Sequence, residues 1–252
     1  MNIIISGGSS GLGRALALTY ANKNNTLGLI GRNATTLQDV ATLCEQQGAK
    51  VILIICDLSV DFKVLKQKLT AFHQQFNLDL VIANAGITAS SSAQRELEPW
   101  QVTKTLIDTN VLGVLGLLHP IVHLMQQQQS GQIVIISSIA AFYGMPITPS
   151  YCASKAAIKS YGEALRGLLY EDQIQVCLVY PGFIKTAMSD QFPGPKPFMM
   201  SPKKAAMIIQ RGIQKRKKVI AFPFWLSTGM AFLPLLPSSI ADFILRNYRD
   251  KK

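Results

Sequence analysis

Short, unbroken apolar runs alternate with helical stretches along this chain, and that alternation limits its possible folds more than any other feature. Ile3-Ile4-Ile5, Val51 to Ile55 and Ile133 to Ile136 are runs with no polar residue on either face. A strand with two apolar faces must be covered on both sides, which is the situation in a parallel sheet between helix layers. Strands are predicted at about residues 2–6, 26–30, 50–55, 78–82, 132–136, 174–179 and 218–221. Helical periodicity fills the gaps at Leu12 to Lys23, Thr35 to Gln47, Asp61 to Gln75, Val102 to Gln129, Tyr151 to Glu171 and Pro202 to Arg216. Repeated strand–helix units with right-handed crossovers give an α/β fold with a doubly wound, seven-stranded parallel sheet and helices on both faces. No linker rich in Gly, Ser or Pro interrupts the alternation, so residues 1–220 form a single domain, with 221–252 as an extension.

The first strand runs into Ser6-Gly7-Gly8-Ser9-Ser10-Gly11-Leu12-Gly13, and a helix follows. A glycine-rich turn at that junction lets the backbone approach a pyrophosphate, which then meets the free N–H groups and positive dipole end of the helix. Such a turn is a weak signal alone, and its place at the first strand–helix junction is what strengthens it. The second strand ends Leu29-Ile30-Gly31-Arg32-Asn33. An acid there would bind a ribose 2′-hydroxyl, whereas a guanidinium pairs with a 2′-phosphate, so Arg32 and Asn33 favour NADP(H) over NAD(H).

Tyr151 and Lys155 lie four residues apart near the start of a predicted helix and share a face. That pair is common on ordinary helices. Here Ser137 and Ser138 stand at the carboxyl end of a buried strand, on the sheet edge where such folds bind ligands, and Asn110 lies in the preceding long helix.

Taken together, Ser6-Gly7-x-x-x-Gly11-x-Gly13, Asn84-Ala85-Gly86, Asn110, Ser138, Tyr151-x-x-x-Lys155 and Pro181-Gly182-x-x-x-Thr186 resemble the short-chain dehydrogenase/reductases over about residues 1–220. The resemblance implies a Rossmann-type fold and oxidoreduction of a carbonyl or alcohol. It implies Tyr151 as general acid, Ser138 as hydrogen-bond donor to the oxyanion, Lys155 as support for the phenolate and ribose contact, and Asn110 as holder of a relay water. The expectation is that Lys155 lowers the Tyr151 pKa. Cofactor contacts implied in the same way are the loop residues Ser6, Gly7, Ser9, Ser10, Gly11, Leu12 and Gly13, then Asp57 and Leu58 at the adenine. Asn84, Ala85 and Gly86 line the adenosine side, and Pro181, Gly182, Ile184 and Thr186 hold the carboxamide. Asp57 would serve equally as a helix cap. Ser6 stands where the family has threonine, and Ala83 replaces the first asparagine of the usual Asn-Asn-Ala-Gly.

The chain opens on a strand with no room for a signal peptide, so a cytoplasmic location is expected. Cys44, Cys56, Cys152 and Cys177 form no metal or redox spacing, and His73, His119 and His123 belong to no ligand set, so no metal is expected. The apolar stretch Val111 to Leu124, with Gly113 and Gly116, predicts a face covered by a partner subunit in a homodimer or tetramer.

Charge is concentrated late in the chain. Residues 201–252 hold eleven Lys/Arg against two Asp/Glu. Between the basic groups lie Phe222-Pro223-Phe224-Trp225-Leu226 and Met230 to Leu236, about fifteen apolar residues broken by prolines and too few to span a bilayer. An interfacial anchor on the cytoplasmic membrane face fits this pattern. So does a tail folded back on the core or on a partner. Aromatics grouped with prolines make no nucleic-acid stacking groove. The segment Met188 to Met200, rich in proline and phenylalanine, predicts an apolar lid and an apolar or lipid-like substrate.

Overall fold

The computed structural model describes residues 1–89, 96–192 and 194–246. Pro193 of the predicted lid and Arg249, Lys251 and Lys252 of the basic end lie outside the described residues. The elements follow the predicted alternation: β1 (Asn2–Ser6), α1 (Gly11–Tyr20), β2 (Thr26–Gly31), α2 (Ala34–Gln46), β3 (Lys50–Ile55), α3 (Phe62–Phe76) and β4 (Leu80–Ala83). Then come α4 (Trp100–Ile107), a π turn (Asp108–Leu112), α5 (Gly113–Gln128), β5 (Gly131–Ile136), α6 (Pro149–Leu168) and β6 (Ile174–Pro181). The last elements are α7 (Ala187–Asp190), α8 (Pro202–Gln214), β7 (Val219–Phe222), α9 (Phe224–Phe232) and α10 (Ser238–Arg246).

All seven strands pair in parallel in the order β3-β2-β1-β4-β5-β6-β7. Order reverses between β1 and β4, and the crevice beyond the carboxyl ends at that switch point is where such sheets bind ligands. The apolar runs are explained by the two layers. Ile4 packs with Leu65, Leu117 and Ile158 on one face, while Ile3 and Ile5 pack with Leu16, Leu37 and Ile209 on the other. Each wholly buried isoleucine stabilises the sheet by roughly 1.5–3 kcal/mol.

The long predicted helix over 102–129 is three pieces, with the π turn in the middle. The run Trp100–Gln128 is long and apolar enough to cross a bilayer by length and composition. Its residues Leu106, Val114, Leu117, Leu118 and Ile121 are instead buried in this chain. Gly113 and Gly116 serve the chain's own packing. A Cβ on Gly113 would lie 3.2 Å from Leu58 Cβ, and one on Gly116 would lie 3.4 Å from Phe62 Cδ2. They let α5 approach the loop after β3 and the start of α3, which cover much of the helix within the monomer.

The extension folds back. Met230, Leu233, Ala241 and Leu245 join the same buried cluster as Leu117 and Ile158, and Tyr143 donates a hydrogen bond to Asp242 Oδ1 at 3.4 Å.

Candidate active site

The glycine turn is shaped by backbone needs that side chains could not meet. Gly7 and Gly11 have φ of +66° and +51°, in the left-handed region. A Cβ on Gly13 would lie 2.0 Å from the Gly7 carbonyl oxygen. The turn is fastened from below by Ser6, whose hydroxyl accepts hydrogen bonds from the backbone N–H groups of Asn84 and Ala85, both at 3.0 Å. Asn84 returns the bond through Nδ2 to the Ser6 carbonyl at 3.0 Å. Ser6 is wholly buried, so its side chain positions the turn from below. Ser10 caps α1 without a side-chain cap bond, leaving the first-turn N–H groups open.

One cavity of about 580 Å³ runs from this turn across the strand ends. It is lined by Gly7, Ser10 to Gly13, Asn84 to Gly86, Ser138, Tyr151, Lys155 and the segment Pro181 to Ser189. Gly11 faces Thr186 across it, with 3.2 Å between a notional Cβ and Thr186 Cγ2. Thr186 itself starts α7 in a reciprocal capping box with Ser189. A turn that must be glycine, roofed by a fixed threonine and floored by open N–H groups, fits a dinucleotide pyrophosphate.

The adenine end is arranged differently from expectation. Arg32 Nη1 lies 3.8 Å from Asp57 Oδ2, so the two predicted contacts form an ion pair outside the cavity. Desolvation raises the Asp57 pKa, but hydrogen bonds from Ser59 and the Arg32 guanidinium outweigh it and hold the carboxyl below its ordinary value. The Asn33 side chain accepts from Thr36 N–H at 3.0 Å and caps α2. Leu58 is buried in the core against Gly113, so its side chain is unavailable to a ligand. Ser9 sits beside Gly31, 3.6 Å from a notional Cβ there.

At the other end, α6 brings Tyr151 and Lys155 to the carboxyl end of β5. Lys155 is buried, donates from Nζ to the Ile136 carbonyl at 3.1 Å and lies 5.7 Å from the centroid of the Tyr151 ring. The Ser138 hydroxyl accepts from Ala140 N–H at 3.1 Å and hydrogen-bonds the Tyr151 phenol. Burial pushes the phenol up to about 12, with the Ser138 bond pulling the other way. Burial also brings the Lys155 amine down to about 8. The expected depression of the tyrosine by lysine is therefore not what the protein's own groups produce. Desolvation disfavours both charges and wins.

Asn110 sits in the π turn, fully buried. Its Oδ1 accepts from Ile87 N–H at 2.8 Å, and Nδ2 donates to the Ile87 carbonyl and to Ser154 Oγ. Ser154 in turn donates to the Tyr151 carbonyl at 2.8 Å. The Asn110 side chain thus ties three elements together under the site. A π turn widens the local helix ladder, a common device where a residue must be re-aimed.

Several site residues were not foreseen. Ser137 donates to the Lys155 carbonyl at 2.9 Å and locks α6 to β5. Replacing Ser137 by Ala is expected to cost about 1–2 kcal/mol, read as a lower midpoint in urea unfolding, because a buried bond is lost. The far wall comes from α9, α10 and the turn between them, including Trp225, Met230, Leu236 and Leu245. The signal was present in the sequence: between Phe222 and Leu245 Asp242 is the only charged residue.

A dinucleotide cradle opening on a tyrosine, a buried lysine and a serine at the sheet's switch point defines a doubly wound oxidoreductase. The chain belongs to the short-chain dehydrogenase/reductase family, whose model, described as short chain dehydrogenase, matches residues 1–195. An uncharacterized oxidoreductase of Myxococcus xanthus is 31% identical over 98% of this chain and 96% of its own length. An 11-beta-hydroxysteroid dehydrogenase 1A of Arabidopsis thaliana is 28% identical over 94% of this chain and 72% of its own. Among solved structures, a 3-ketoacyl-ACP reductase from Sinorhizobium meliloti is similar with a TM-score of 0.77 at 26% identity, covering 90% and 99% of the two chains. Members of this family use NAD(P)(H).

Proposed function

We propose that this protein is an NADPH-dependent reductase of a ketone or aldehyde on an apolar, lipid-like substrate met at a membrane surface. The observation that carries the chemistry is the meeting of Tyr151, Ser138 and Lys155 in the same cavity as the glycine turn. When bound, the reduced nicotinamide supplies the hydride that the carbonyl carbon accepts. Tyr151 gives its proton to the carbonyl oxygen, and its raised pKa keeps that proton available across the neutral range. The Ser138 hydroxyl, which accepts from Ala140 N–H and lies against the Tyr151 phenol, turns its O–H to the substrate oxygen as charge builds there. Lys155, anchored on Ile136, supports the phenolate left behind while its amine is charged. Asn110 acts as a positioning residue through Ile87 and Ser154.

The cofactor preference rests on Arg32, 63% exposed on its side chain and free to swing from Asp57 to a 2′-phosphate. Arg32→Ala is expected to raise KM for NADPH about 10–100-fold, the cost of a lost charged hydrogen bond, and to leave KM for NADH nearly unchanged. The apolar wall from α9 and α10 and the similarity to a steroid dehydrogenase and a ketoacyl reductase support the substrate class. The test is oxidation of NADPH and of NADH against a carbonyl panel that includes 3-keto esters of increasing chain length. Preference for NADH would overturn the Arg32 assignment, and loss of activity with growing chain length would overturn the lipid-like substrate.

A further inference from the structure

The helices that close the cavity also carry many exposed large apolar side chains. Phe224, Leu235 and Phe243 are 66%, 74% and 67% exposed. Trp225, Phe232, Leu236 and Ile244 are both exposed and part of the cavity lining, so the inner wall passes into the outer patch without a polar rim. Patches of this kind mark interaction sites. From Phe222 to Leu245 the only charge is Asp242, and the Tyr143 hydroxyl binds it. In sequence, basic residues flank this segment on both sides: Lys203 and Lys204 precede it, and Arg246 and Arg249 follow it. Like charges on both flanks oppose pairing with a second copy of this face, and they attract an anionic lipid surface, which adds roughly 1 kcal/mol of binding for each cation near it.

We propose that α9 and α10 form a collar that dips into the headgroup boundary of an anionic membrane, with the cavity mouth opening within it. A lipid ketone then reaches Tyr151 from the bilayer without crossing water, its chain leaving past Trp225, Phe232 and Ile244. This rests on the carbonyl-reductase reading and adds the partner and the route. Gly229, in α9, lines the mouth, and a Cβ built there meets no atom within 4 Å. The position can therefore be filled without disturbing the fold.

The test pairs two proteins with two substrates. In one variant Phe224, Leu235 and Phe243, which are exposed and outside the cavity lining, are replaced together by Gln. Wild type is expected to sediment with phosphatidylglycerol/phosphatidylcholine vesicles and the triple variant to bind at least about tenfold more weakly, since buried apolar area and charge set such affinities. Turnover of a long-chain 3-keto ester held in those vesicles should fall about tenfold, and turnover of its short, water-soluble homologue should stay within about twofold. Gly229→Phe should slow the long ester even in detergent and spare the short one. Wild type that binds no vesicle, or a triple variant that binds as well as wild type, overturns the collar. So does a triple variant that turns from dimer to monomer without any change in vesicle binding, which would assign the face to a second copy. If neither ester is reduced, the carbonyl assignment fails, and sedimentation alone still decides the collar.

Discussion

Tyr151→Phe is expected to lower kcat for carbonyl reduction by about 10³-fold or more, while the dissociation constant for NADPH changes by less than about twofold. The substitution removes one oxygen from a ring that otherwise keeps its packing, so the cradle at the glycine turn is untouched. What disappears is the proton that the carbonyl oxygen must take as hydride arrives at carbon. Ser138 can still donate a hydrogen bond, which is why some activity should survive. The pH dependence follows from the neighbours. With the phenol pushed up to about 12, the acid form persists throughout the neutral range. Lys155, brought down to about 8, loses its charge as pH rises through that value, and with it the support for the phenolate formed in the step. Reduction, measured as kcat/KM, should therefore be flat below about pH 8 and fall above it. Stopped-flow turnover together with NADPH fluorescence titration checks both parts. A Phe variant retaining a tenth of wild-type turnover would remove Tyr151 from the chemistry.

Gly13→Ala should be the most damaging single methyl group in the protein. Its Cβ would fall 2.0 Å from the Gly7 carbonyl oxygen and 2.7 Å from Asn84 Nδ2. Neither is the loose end of a long side chain. The carbonyl belongs to a turn held at φ +66°, and the amide is bonded to the Ser6 carbonyl. Relief requires α1 to move away from β1 and β4, which reshapes the turn that α1 presents to a pyrophosphate. The expected outcome is a loss of NADPH affinity of at least about 100-fold with about 2–4 kcal/mol of destabilisation, the range for backbone strain at a close contact. Calorimetric titration and urea unfolding read the two effects. Normal affinity in Gly13→Ala would mean that the turn is more pliable than its contacts indicate.

The sheet was legible because burial on both faces leaves no freedom in composition: Ile3 to Ile5 can be read only one way. The cradle was legible because glycines at fixed offsets answer to backbone sterics alone. Side-chain roles at the edges were harder to read. Ser6, Leu58 and Asn33 occupy the positions expected of ligand contacts, yet a buried hydroxyl, a core contact and a helix cap claim their side chains. Sequence spacing places a residue near a site and is silent on which way its side chain points. Ser137 was noticed beside Ser138, but only the bond to the Lys155 carbonyl assigns it a task. The wall built by α9 and α10 was legible as an apolar segment but not as part of the site, because some of its contacts reach far back in the chain, as with Tyr143 and Asp242.

That wall comes after every residue expected to touch the reacting atoms. On the proposed reading, the chemistry is written between Asn110 and Lys155, the grip on the cofactor mostly before Gly86, and much of the fit to the substrate after Phe222. Selection can therefore redraw the last segment while the first two stay fixed, and a graft of residues 223–246 between two such proteins would carry the taste for a substrate without the reaction. Diversification of this kind needs few coordinated changes, because the inherited engine and the interchangeable mouthpiece meet along one apolar seam.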